Sequence, residues 1–194
     1  MQFVECMSLS AILFVILALI GYLIGQIKKY ITLGLDKIIG TKLTLFIINR
    51  LTFIGTIHHE LAHALFAMLS GAKVTKIRLI EFRGGRLGSV EYIPRGNIIT
   101  KSIQHTFSAY APVVCGFITE VIMLSTFNNT NNIWIIVLKM YIMFSVFVHM
   151  TMSKQDIKMC LMGLPICITI VAIILMFFGI RFTDIVLLTN LILI

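Results

Sequence analysis

Residues 43–69 read LTLFIINRLTFIGTIHHELAHALFAML, and this stretch sets both the class of fold and the chemistry to look for. It is apolar over more than the roughly 20 residues that a helix needs to cross a hydrocarbon core. Its apolar residues follow one another without the period of 2 or 3.6 that marks a half-buried element. Arg50 stands about two turns from one end, where a long side chain can reach the interface. The other polar residues that stand out are the cluster His58-His59-Glu60 and His63.

Four more runs of this kind lie outside it, over 8–27, 103–127, 133–150 and 157–178, while 185–194 is too short to span alone. Of the 194 residues 59% are hydrophobic and 12% charged, against roughly 45–50% and about 25% for a soluble domain. The expectation is an all-α, multi-pass membrane protein, a single domain over 1–194 with about five spanning helices. The first run is read as a retained helix: the residues before it carry Glu5 and no base, and no small-x-small cleavage site precedes Lys28 and Lys29. A net charge of +8 raises the question of nucleic acid, but the bases collect in the links between apolar runs, where they meet lipid head groups. The lipid bilayer is therefore the expected partner, and nucleic acid is not. Cys6, Cys115, Cys160 and Cys167 form no CxxC pair and read as packing residues.

The longest polar link, 70–102, does not look helical. Over 73–94 Val, Ile, Thr, Phe and Tyr alternate with charges around Gly84-Gly85, which predicts a small β-hairpin. The uncharged link 128–132 predicts an antiparallel helix pair. With alternate links on alternate sides, Lys73, Lys76, Arg78, Arg83, Arg86, Arg95, Lys101, Lys154 and Lys158 fall on one side, against Lys28, Lys29, Lys37, Lys42 and Arg181. Nine against five puts 70–102 inside, in the cell membrane with the site toward the cytoplasm. The basic stretch 26–42 reads as an amphipathic segment along the interface.

The frame His59-Glu60-x-x-His63 is HExxH. On a helix, residues four apart share a face, so both imidazoles can reach one ion. Glu60, one position on, sits beside that ion and can take a proton from a water whose pKa zinc lowers to about 7. His58 belongs to another face. In a soluble chain such a pattern is often coincidence, but ionisable groups at membrane depth cost roughly 2.5–3.5 kcal/mol each and usually mark a working site. The expected cofactor is Zn2+, with His59 and His63 as ligands.

A catalytic zinc commonly takes three protein ligands, and Asp156, Glu120, His105 and His149 are the candidates for the third. Asp156 opens a helix at a depth compatible with His63, although an N-terminal Asp is also favoured simply as a cap. Glu120 lies roughly 28 Å from the inner side along its own helix, too far by a turn or two. His105 reads as interfacial.

An apolar helix with HExxH, a hairpin, a Pro-containing helix, another helix and an Asp opening the next together resemble the site-2 protease family of intramembrane zinc metalloproteases, over residues 43–178. His59, Glu60 and His63 match its first motif, and Ala111-Pro112 stands where the family usually has Gly-Pro. The resemblance implies Asp156 as third ligand, and a hairpin that holds an unwound substrate by strand addition. The family's Asn-x-x-Pro ahead of Leu-Asp-Gly is absent; the chain has His149-Met150-Thr151-Met152-Ser153-Lys154-Gln155-Asp156 instead. His149 can replace the missing Asn as donor to the developing oxyanion. The implied function is hydrolysis of peptide bonds in membrane-embedded or membrane-adjacent substrates. The alternatives are a membrane zinc protease of another family using Glu120, and a non-catalytic metal-binding membrane factor.

Overall fold

A computed structural model describes residues 2–80, 88–129 and 131–180. The chain is mostly helical: α1 (Gln2–Ile39), α2 (Thr41–Phe46), α3 (Phe53–Leu69), α4 (Ile98–Ser125), α5 (Ile133–His149) and α6 (Lys154–Phe177). Between α3 and α4, β1 (Lys73–Arg78) and β2 (Ser89–Ile93) pair antiparallel, with an irregularity between Val74 and Lys76. The hairpin expected over 73–94 is present. Gly84-Gly85, Arg83, Arg86 and the tail 185–194 lie outside the described residues.

Local chemistry sets the ends of these elements. The Gly71 N–H bonds Met68 O and the Ala72 N–H bonds Ala67 O, a closure that needs a left-handed residue, and Gly71 (φ 91°) is one. Asn97 and Asn132 accept the N–H groups of Thr100 and Trp134 at the heads of α4 and α5. Ser153 and Asp156 form a reciprocal capping box at the head of α6.

The second apolar run is not one straight helix. A π-helical turn, Ile47–Leu51, and an irregular Thr52 separate α2 from α3. The main-chain groups this break releases are taken up by α5. Tyr141 Oη donates to Leu51 O at 2.6 Å, and Ser145 Oγ donates to Thr52 O (3.0 Å) while accepting the Gly55 N–H (2.8 Å). Gly55 is required there, since a Cβ would overlap the Ser145 carbonyl.

Among the described residues three helices, α1, α4 and α6, are long and apolar enough to cross a membrane. With 17 residues each, α3 and α5 reach about 25 Å, short of a hydrocarbon core of about 30 Å. The five expected crossings thus become three by length alone. Large apolar side chains such as Leu13, Leu23, Ile118 and Ile122 face outward, while Thr106, Ser108, Ser145, His63 and Asp156 are buried. That is the distribution a lipid surround favours. The basic stretch 26–42 continues α1 as far as Ile39 in one unbroken helix of 38 residues, about 57 Å long, and is not a separate segment.

The order along α4 departs from simple alternation. Lys139 of α5 donates to Thr126 O at the far end of α4, Met150 packs on Gly116, Cys160 O accepts from Thr106 Oγ1, and Gly163 packs on Ser102. α5 and α6 therefore run in the same direction, both antiparallel to α4. Their junction, Met150–Ser153, falls midway along the bundle instead of at its end. It closes on a core of Phe14, Tyr110, Val113, Met152, Cys160 and Cys167, in which Tyr110 Oη donates to Phe14 O at 2.9 Å.

Candidate metal centre

His59 and His63 lie one turn apart on the inner face of α3, their ring centroids 4.7 Å apart. What fixes them is the partner each Nδ1 finds. His63 Nδ1 lies 2.7 Å from Ser108 O, and His59 Nδ1 lies 2.7 Å from His149 O. Both carbonyls are vacant for a local reason. Ser108 O sits four residues before Pro112, which has no N–H to offer it. His149 closes α5, where the last carbonyls have no intrahelical donor.

A carbonyl only accepts, so each Nδ1 carries the proton and each Nε2 is left with a lone pair. These two Nε2 atoms face one another at 3.1 Å, and Asp156 Oδ1 lies 3.7 Å from His63 Nε2. All three ligand atoms fall within 4.8 Å of one another. Two bonds of about 2.0–2.1 Å to a common zinc reach about 4 Å between donors, so the two measured separations suit one ion. Lone pairs set face to face favour a cation between them, and the donor set of two imidazoles and a carboxylate suits zinc. His59, His63 and Asp156 could thus hold a metal ion.

Asp156 serves two ends at once. Its Oδ2 accepts the Ser153 N–H at 2.7 Å while Oδ1 faces His63. The cap uses one oxygen of the carboxylate and leaves the other facing His63, so the two roles read from sequence as alternatives are compatible.

Glu60 is buried next to this group and lines a cavity of about 460 Å³ together with His59, His63 and Asp156. The hairpin forms one wall: a Cβ on Gly88 would stand 2.6 Å from Glu60 Cγ and 2.9 Å from Arg78 O. Only glycine lets the start of β2 lie against that carboxylate. Beside it Tyr92 Oη is 3.1 Å from His105 Nδ1, and burial pushes the Tyr92 phenol above its usual pKa, keeping it a donor.

The remaining candidates take other positions. The His149 ring is occupied on both sides, Nδ1 at 3.0 Å from Ser145 O and Nε2 at 3.1 Å from Thr56 Oγ1, so its visible contribution is the carbonyl that orients His59. His58 pairs with Thr119 Oγ1 at 3.0 Å, away from the cluster. Glu120 lies about 18 Å farther along α4 than Ser108 and is outside the His-His-Asp group. His105 meets the site through Tyr92 and lies outside the His-His-Asp group.

Two features escaped the sequence reading. One is the Pro112–Ser108–His63 relay, signalled only by a Pro four residues after the carbonyl it frees. The other is Lys28. Charge counting placed Lys28 and Lys154 on opposite sides of the membrane, yet both line this one cavity. The break between α5 and α6 sits inside the bundle, so bases flanking it do not count as a loop at one surface.

Pro112→Ala tests the relay. A restored N–H at 112 competes for Ser108 O, so the variant should bind zinc roughly 10–100-fold more weakly, the scale of other outer-shell changes, with helix content unchanged. Zinc competition titration reads the first and circular dichroism the second; unaltered affinity would contradict the relay. Comparison with protein-family models found no match, and comparisons with curated proteins and with solved structures found none either.

Proposed function

We propose that the chain is an intramembrane zinc metalloprotease of the site-2 protease type, with its core over residues 43–178. The observation that carries this reading is the convergence of two imidazole lone pairs and a buried carboxylate beside Glu60 in one cavity. His59, His63 and Asp156 would hold a zinc ion, which would supply Lewis acidity for the scissile carbonyl and for a water whose pKa falls toward about 7. Glu60 takes the proton from the attacking water and returns it to the leaving amine. A protein that only stores or senses metal has no use for a further carboxylate at that place.

A transmembrane substrate hides its amides in its own helix and must unwind before it can be cut. Among the described residues β1 and β2 form a sheet of two strands, whose outer edges could accept an extended peptide. β2 also borders the cavity through Ser89, Val90 and Tyr92, which supports the hairpin as the clamp. In this reading all five apolar segments are embedded in the bilayer, with α5 and α6 following each other along α4. The bases in and just after the hairpin, Lys73, Lys76, Arg78 and Arg95, support a cytoplasmic placement of the site.

The test uses purified protein in lipid vesicles with a panel of transmembrane peptides. The expected result is cleavage within or beside the apolar segment, lost on treatment with a zinc chelator and restored by added zinc. Cleavage indifferent to the chelator, or none by zinc-loaded protein, would overturn the reading, the latter in favour of a metal-binding factor.

A further inference from the structure

We propose that Lys28, reaching from α1 into the metal cavity, is the cationic donor that stabilises the oxyanion formed at the scissile carbonyl. This rests on the hydrolytic reading above and adds a residue from outside the 43–178 core.

Placement is the first argument. Gly21, Ile24, Gly25 and Lys28 follow one face of α1 at helical spacing. A Cβ on Gly21 would meet Met152 and Val113, and Ile24 is buried with Val146 and Met150. Gly25 faces Thr151. That face is docked on the α5–α6 junction, so the next turn delivers the Lys28 side chain to the cavity lined by His59, Glu60, His149 and Asp156.

Chemistry is the second. Among the described residues no carboxylate forms an ion pair with Lys28. A half-buried ammonium without a counter-ion among the described residues is costly to hold beside a cavity and points to a working group. The other lysine at the cavity, Lys154, is exposed at the head of α6. His149, the residue expected from sequence to donate to the oxyanion, has both ring nitrogens engaged. Lys28 carries three donor protons and no such commitment.

The step balances with groups already named. Water oxygen adds to the carbonyl carbon as Glu60 takes its proton, and the C=O π pair moves onto oxygen, where the Lys28 ammonium donates a hydrogen bond. When the pair returns, the C–N bond breaks and Glu60 passes the proton to the leaving nitrogen. Lys28 keeps its own protons throughout. Its attraction is greatest when the oxygen is negative, so it acts on the transition state more than on bound substrate.

The experiment compares wild type with Lys28→Met, Lys28→Arg and Lys29→Met, all zinc-loaded and in vesicles. It measures zinc content, kcat and KM on a cleaved transmembrane peptide, and affinity for a phosphinic pseudopeptide whose tetrahedral anion replaces the scissile amide. Lys28→Met should lower kcat by roughly 10²–10³-fold with KM little changed, and weaken phosphinate binding by a similar factor. Zinc should remain near one per chain. Lys28→Arg should fall between, and Lys29→Met should match wild type. A change in KM alone, or phosphinate affinity equal in wild type and Lys28→Met, would overturn the proposal, as would absence of phosphinate binding to wild type. Phosphinate binding that depends on Lys28 in a protein that cuts no peptide would uphold the anion site and overturn the protease reading.

Discussion

Glu60→Gln should lower peptide cleavage by roughly 10²–10⁴-fold, the scale of general acid–base catalysis, while the protein keeps its zinc and its fold. The amide matches the carboxylate in size, so the contact between the start of β2 at Gly88 and the Glu60 stem survives. The atoms that could hold the metal ion belong to His59, His63 and Asp156, and none of them is altered. What the amide lacks is the capacity to accept a proton from water and return it to the leaving amine. Cleavage in vesicles with zinc content measured on the same sample separates these effects. Turnover within tenfold of wild type would remove Glu60 from the reaction, and loss of zinc would make it a ligand.

How far the site is legible in the sequence depends on how local its parts are. HExxH needs only helical spacing, so His59, Glu60 and His63 are placed correctly relative to one another by counting residues. The hairpin is legible from its alternation, and Asp156 from its place at a helix start. The supports are not legible, because each joins residues far apart in the chain. His63 leans on Ser108 through a carbonyl that Pro112 leaves free, and His59 leans on the last carbonyl of α5. The position of Lys28 depends on how α1 docks against residues 150–153. Hydropathy finds the apolar runs but not their direction. Alternation assigned α5 and α6 opposite courses, whereas the pairings of Met150 with Gly116 and of Gly163 with Ser102 show them continuing the same way.

Asp156→Ala should strip the metal. The carboxylate is buried, with Oδ1 3.7 Å from His63 Nε2 and Oδ2 holding the Ser153 N–H. Its removal costs the cap, about 0.5–2 kcal/mol, and, on the proposed reading, a ligand as well. The second loss should weaken zinc binding by more than the roughly 10–100-fold typical of an outer-shell change. Ser153→Ala separates the two, since it removes the Ser153 Oγ that caps the Asp156 N–H at 3.1 Å and leaves Oδ1 in place. That variant should unfold earlier on heating yet keep its zinc. Glu120→Ala, outside the cluster, should keep zinc as well. The most direct measurement is therefore the zinc content per chain of wild type, Asp156→Ala, Ser153→Ala and Glu120→Ala, purified side by side. The account predicts one zinc in wild type, Ser153→Ala and Glu120→Ala and almost none in Asp156→Ala. Wild type without zinc, or an Asp156→Ala variant that holds as much as wild type, would contradict it.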